Sequence, residues 1–350
     1  MAGIAGTVSK SWMAEAIGVA FNRDYYFDPA SRFAVDRKCH AQVGETLGDL
    51  GLFFTESNLG RVAYHDPRQV LVGGIQPNMI VGMLLGAEFI PHDQADADIS
   101  PTPLAGRELA DLPAPESLLE HDLVRLFDEQ FRNLKNDTDA NVNPVPPFFW
   151  DSSGRVAIHG AITSAQKLFG ESIFLDMVTS PDQVAEVFDW ITDISIALVR
   201  HFAKLADRKI TEVHIGECSS CMISPALFEQ FVVPTASRVG AKVGPVRFHS
   251  CGASDHLLEA CRKIENLRSL DVGGNTSVAK IRSIFGPKFS IDIAPLVDDL
   301  RSDQPDQLLA WADRVLAEDG AAPTIVYHLE SGYPLENVRR LQAHVLQAMP

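Results

Sequence analysis

A histidine and a cysteine two residues apart close the run Arg247-Phe248-His249-Ser250-Cys251-Gly252. Alternate residues of a strand point the same way, so His249 and Cys251 can reach one soft metal ion from a strand's end. Two ligands do not complete a site, and other positions offer the rest. Cys218 and Cys221 stand at CxxC spacing, a pattern that serves a redox pair or half of a zinc site. Asp271 can supply an oxygen ligand or accept a hydrogen bond from a liganding imidazole. His328 and Glu330 can close a coordination sphere or contact a substrate.

Each of these has a plainer reading. A lone His-x-Cys recurs by chance, and a buried cysteine often packs as a small apolar residue. Asp271 would serve equally as a helix cap or an ion-pair partner, and His328 and Glu330 as caps of a mouth. Cys39 and Cys261 are assigned no metal role, since Cys261 falls within a helix.

The elements that must carry these residues follow a repeating order. Arg155–His159, Thr211–Ile215, Val246–His249, Ser269–Val272, Phe289–Ile293 and Thr324–His328 read as short strands, each leading to a helix. Ser180-Pro181, Ser224-Pro225 and Thr276-Ser277 are helix starts, with a hydroxyl at the cap and, in two, a proline in the first turn. After Pro181, apolar residues from Val184 to Phe202 recur at helical spacing. Strand–helix units repeated in this way imply a parallel sheet, either open or closed into a barrel. The chemistry decides for an α/β fold of the (β/α)8 TIM-barrel kind. Glu217, Cys218, His249, Cys251, Asp271, Asp292, His328 and Glu330 all fall near C-terminal strand ends, which a barrel gathers at one mouth. His159 also ends a strand and could face the mouth. No GxGxxG or phosphate-binding loop follows any strand, against a nucleotide-binding sheet.

Residues 1–65 read as an N-terminal helical extension packed on a barrel of residues 66–350. The aromatic segment from Phe21 to Pro29, with Tyr25 at its centre, reads as a loop able to cover the site. Gln69–Pro91 reads as strand, helix and short strand, Pro91–Glu116 as an exposed loop, and Ser117–Leu134 as a helix.

At 350 residues the chain suits one large barrel. Apolar residues make up 46% and charged residues 22%, the balance of an ordinary globular protein. The net charge of −16, with no basic run, argues against nucleic acid or an anionic membrane as partner. The most apolar stretch, Leu71 to Gly86, is too broken by glycine, proline and polar residues to span a bilayer. Five cysteines at uneven spacing argue against a secreted disulfide framework, so a cytoplasmic chain with reduced thiols is expected.

The order of several short motifs resembles the uroporphyrinogen decarboxylase superfamily, and most of all its zinc-dependent, corrinoid-linked methyltransferase branch. They are Leu84-Leu85-Gly86-Ala87-Glu88, Leu168-Phe169-Gly170-Glu171, the run from Ile223 to Phe231, His249-Ser250-Cys251-Gly252, Ile291-Asp292-Ile293-Ala294-Pro295, and the run from Gly332 to Val338. The resemblance implies a (β/α)8 barrel, and a zinc site to which His249 and Cys251 contribute. The branch carries a later cysteine near its C-terminus, where this chain has Tyr327-His328-Leu329-Glu330. Either His328 or Glu330 substitutes, or Cys218 or Cys221 reaches across the mouth, or the chain has lost zinc. The expected assignment makes His249, Cys251, Cys218 and His328 metal ligands, and Glu217 and Asp271 catalytic groups. His159, Asp292, Glu330 and Tyr25 are expected to contact substrate.

The resemblance further implies methyl transfer between a corrinoid, carried by a partner protein, and a thiol or similar small acceptor. A homodimer is compatible with it. Two alternatives remain open. One is a metal-free decarboxylase or lyase, which would want a basic mouth that the strand ends do not supply. The other is a non-catalytic corrinoid- or tetrapyrrole-binding protein.

Overall fold

The computed structural model describes residues 3–50, 68–137, 141–303, 305–317 and 321–348. Its strands are β1 (Gly3–Val8), β2 (Gln69–Leu71), β3 (Phe89–Ile90), β4 (Asp98–Ile99), β5 (Asn143–Val145), β6 (Arg155–His159), β7 (Glu212–Gly216), β8 (Val246–Ser250), β9 (Leu267–Gly273), β10 (Ser290–Ala294) and β11 (Thr324–Leu329). Seven form one sheet in the order β1-β11-β10-β9-β8-β7-β6. All of its pairs are parallel. The expected strands from Arg155 onward are all present, displaced by a residue or two at their ends.

The sheet curls on itself. Val8 of one edge strand and Ala157 of the other line a single cavity, together with Leu71 and Val72 at the end of β2. The parallel β2–β5 pair therefore faces the gap between the two edges. Beyond β5, the Phe148 carbonyl accepts a hydrogen bond from Ala157 N of β6. The architecture is a (β/α)8-type barrel with N-terminal helices.

A two-residue period explains which side chains enter the barrel. Val213 and Ile215, Val246 and Phe248, Leu270 and Val272, and Ile291 and Ile293 are all buried. Phe248 meets Phe228 of the surrounding helical layer edge-on at 5.6 Å, which fixes this set as the outward face. Each large apolar side chain buried there contributes roughly 1.5–3 kcal/mol. The alternate residues then point inward. They are His159, His214, Gly216, Arg247, His249, Asp271 and Asp292, so this barrel is apolar outside and polar within.

The helices begin where the sequence marks them. Ser224 Oγ accepts from Leu227 N, and Ser277 Oγ from Lys280 N. Pro181 opens the long helix Pro181–Ala206, although the Ser180 side chain makes no cap bond there.

The N-terminus departs from expectation. β1 is a strand, and it pairs with β11 over its whole length. The sheet thus begins at residue 3 rather than after a helical extension. The helices Lys10–Ile17, Arg23–Phe27 and Pro29–Leu47 follow it, and the expected boundary near residue 65 lies outside the described residues. Arg23–Phe27 replaces the expected covering loop. Within it Tyr25 is only 1% exposed and donates to Asp36 Oδ1 at 2.9 Å, so it packs in the core and cannot contact substrate at a mouth. The stretch from Pro91 to Glu116 is less open than expected, because β4 pairs with β3 and buries Ile99. No described helix is long and apolar enough to cross a membrane.

Candidate active site

Three donor atoms converge at adjacent strand ends. The sulfurs of Cys218 and Cys251 and a ring nitrogen of His249 all lie within 4.8 Å of one another. His249 sits in β8 and Cys251 follows directly after it. Cys218 opens the 3-10 turn Cys218–Met222 behind β7. One backbone bond ties that turn to β8, and a side-chain bond closes the turn itself. Glu217 N donates to the His249 carbonyl at 2.9 Å, and Ser220 Oγ donates to the Glu217 carbonyl at 2.6 Å. On the other side, a Cβ on Gly273 would overlap the Cys251 carbonyl, so glycine in β9 allows that close approach.

The electrostatics of the three are linked. The neighbouring Cys218 thiol lowers the Cys251 thiol well below its ordinary value and is itself raised by Cys251; His249 lowers Cys251 further. Burial opposes a charge on His249, but the Asp271 carboxylate outweighs it and brings the imidazole up to about 9. His249 Nδ1 and Asp271 Oδ2 are 2.7 Å apart. The approach is off the line of a ring N–H, so Nδ1 lacks a well-formed hydrogen bond and the contact acts first as an ion pair. The other ring nitrogen remains for a metal.

Asp271 is held in turn by Arg247, which is 2% exposed. Its Nη1 lies 2.9 Å from Asp271 Oδ2, and its Nε and Nη2 donate to Asp292 Oδ2 at 3.0 and 2.8 Å. Burial alone would raise the Asp271 carboxyl, but Arg247 and then His249 hold it well below the usual carboxylate range. Arg247 Nη1 also lies 2.7 Å from His214 Nδ1. His214, His249 and Asp271 form a second group with donor atoms within 4.8 Å of one another. The guanidinium already contacts two of its three members, so that group is closed to a cation.

Several expected residues are placed differently. Glu217 was expected to be catalytic, yet its carboxylate is 1% exposed and accepts from Thr163 N at 2.8 Å and Thr163 Oγ1 at 3.0 Å. It caps the helix Ala161–Phe169 across the strands, and a Cβ at Gly160 would overlap its Oε2. Burial pushes this carboxyl up to about 7. Asp292, expected at the substrate, is 4% exposed and committed to Arg247. His328 is not in either donor group. Its Nδ1 pairs with Thr7 Oγ1 at 2.5 Å across the β1–β11 seam, and Nε2 lies 3.6 Å from Glu330. Glu330 accepts from Ser11 Oγ at 2.7 Å and stays part-exposed at the rim. His159 faces inward as expected, with a sealed Nδ1 that has no hydrogen-bond partner, and burial keeps its ring neutral, down to about 4. Cys221 lies outside the converging three, although its Sγ would be 2.5 Å from a Cβ on Gly252. Cys39 and Cys261 are buried in the core.

Two residues that do not stand at strand ends also belong here, His214 and Trp150. His214 lies two residues before Gly216 on the inward face of β7, so period-two counting back from the strand end finds it. Trp150 carries no such signal. Its ring meets that of His214 at 4.8 Å, and it lines the cavity of about 80 Å³ bounded also by Tyr26, Phe148, Lys10 and His328. The cavity wall and the imidazole layer are therefore in contact.

Residues 156–292 match the uroporphyrinogen decarboxylase (URO-D) family model. The superfamily resemblance is borne out. The matched URO-D segment runs from β6 into β10 and contains Cys218, His249, Cys251 and Asp271. A solved structure, a methyltransferase from Methanosarcina mazei, superposes with a TM-score of 0.65 at 16% identity, covering 99% of this chain and 93% of that one. At that identity the likeness is one of fold. No curated protein matches the chain.

Proposed function

We propose that this URO-D-like barrel is a zinc-dependent methyltransferase whose methyl acceptor is a thiol. The observation that carries the reading is the convergence of Cys218, His249 and Cys251 at one mouth. Two sulfurs and an imidazole nitrogen form a donor set suited to zinc. Cys218 then takes the part of the C-terminal cysteine that this chain lacks. The Asp271 carboxylate stands 2.7 Å from His249 Nδ1, where liganding imidazoles commonly have a carboxylate partner. When bound, zinc would keep an acceptor thiol in its thiolate form at neutral pH.

The remaining work falls to the chain's own residues. Asp271 fixes the His249 ring, and Arg247 fixes Asp271 while Asp292 balances its second edge. Tyr26, Phe148 and Trp150 give the adjoining cavity an aromatic wall that limits water beside the site. Glu330, at the rim, is placed to meet an entering substrate. A methylcorrinoid on a separate protein is the donor to which the superfamily resemblance points.

A metal-free decarboxylase would need cations at the mouth to hold substrate carboxylates. Arg247 is instead committed to two aspartates, and Lys10 lies 2.7 Å from Asp96. That pairing favours methyl transfer. The test is methyl transfer from methylcobalamin to a small thiol such as 2-mercaptoethanol, followed by the cobalamin spectrum. Zinc-loaded protein should catalyse it, and the chelated protein and Cys251→Ser should fall to background. Equal rates in all three would exclude the reading.

A further inference from the structure

We propose that His214 is a substrate-positioning residue whose Nε2–H donates to an uncharged oxygen of the ligand, a carbonyl or amide, in the space left by Gly216. The inference rests on the methyl-acceptor reading only for the position of the ligand's thiol.

The donor is fixed by its partner. A guanidinium can only donate, so Arg247 Nη1 at 2.7 Å requires the lone pair of His214 Nδ1. The ring is then neutral and carries its proton on Nε2. Burial and the Arg247 charge both favour that neutral form. No described residue pairs with Nε2, and it is not among the sealed polar atoms, so it opens on accessible space.

Gly216 makes that space. Its backbone is not in the left-handed region, so the conformation does not demand glycine. A Cβ there would stand 3.7 Å from His214 Nε2, from His159 Cδ2 and from the Ile158 carbonyl. The vacant position thus lies within contact distance of the donor nitrogen, between two imidazoles. Gly216 pairs with His249 on the next strand, which sets the niche beside the converging thiols and imidazole.

Charge selects the ligand group. Arg247 below the niche is already met by Asp271 and Asp292. A carboxylate entering would lose its hydration beside those aspartates with no uncommitted cation to receive it. A neutral oxygen needs only the Nε2–H.

Mercaptoacetamide, mercaptoacetate and propanethiol, titrated by calorimetry into zinc-loaded protein, separate the possibilities. The amide should bind roughly five- to tenfold tighter than propanethiol, as one net hydrogen bond allows, and the carboxylate should gain nothing. Gly216→Ala places a methyl 3.7 Å from Nε2, an ordinary contact distance, so it should fold, keep its zinc content and lose the amide preference by filling the niche. His214→Leu should lose it too. Equal binding of amide and propanethiol, tightest binding of the carboxylate, or a preference that survives Gly216→Ala would each overturn the proposal. Repeating the series after chelation distinguishes the two readings. Thiol affinity that does not fall on chelation counts against zinc, while the amide preference and its loss in Gly216→Ala still report on His214.

Discussion

Asp271 does the most at the scale of single residues, because it stands between an arginine that holds it and a histidine that it orients. Asp271→Asn keeps the shape and removes the charge. It should weaken zinc binding about 10- to 100-fold, the usual effect of losing a carboxylate behind a liganding imidazole, in a competition titration against a chromophoric chelator. Unchanged affinity would show that the contact does not serve the metal. Glu217 gives a pH signature. Burial holds its carboxyl at about 7 in the fold, against an ordinary 4.5. Between those values the folded chain binds more protons than the unfolded one, so this group's contribution to stability falls as pH rises through that window and is constant on either side. Glu217→Gln keeps an acceptor for Thr163 and removes the penalty. It should be more stable than wild type by on the order of 3 kcal/mol near pH 8, with the gap closing towards pH 4.5 in denaturant titrations. A gap independent of pH would contradict the account. His249 and Cys251 were legible in the sequence because their relation is local. The roles of Arg247 and His214 were not, since the Arg247 partners Asp271, His214 and Asp292 lie on other strands and meet it only through parallel register.

Elements were legible where local chemistry announces them. Ser224 and Ser277 cap their helices as the residue types imply, and the strands from Arg155 onward alternate apolar and polar residues. β1 was missed for a physical reason. Gly3-Ile4-Ala5-Gly6-Thr7-Val8 has small residues in place of an alternating pattern, and its partner among the described strands, β11, is more than three hundred residues away. The structure makes β1 part of the sheet, with Thr7 pairing to His328 across the seam. Removing residues 1–8 should therefore abolish cooperative unfolding, as judged by circular dichroism on heating. A truncated chain that melts like wild type would mean that β1 is an appendage. Tyr25 shows the opposite limit. An aromatic and charged segment predicts a covering loop, but the Tyr25–Asp36 bond and edge-on stacking on Phe21 at 4.9 Å turn it into core.

The whole molecule explains why the site lies where it does. The barrel's apolar faces are turned outward to its helices, which leaves the interior to His159, His214, Arg247, His249, Asp271 and Asp292. Such an interior is held by ion pairs, and parallel strands bring its upper layer to one mouth, where Cys218 and Cys251 wait beside His249. The fold was therefore readable from where the chemistry fell along the chain, while the membership of the donor set needed three dimensions: Cys218 joins it and His328 does not. The most direct measurement is metal content by mass spectrometry of the purified protein and of Cys218→Ser, His249→Ala, Cys251→Ser and His328→Ala. The account predicts one zinc per chain in the wild type and in His328→Ala, and loss of zinc from the other three. Zinc retained by Cys218→Ser, His249→Ala and Cys251→Ser, or lost from His328→Ala alone, would contradict it.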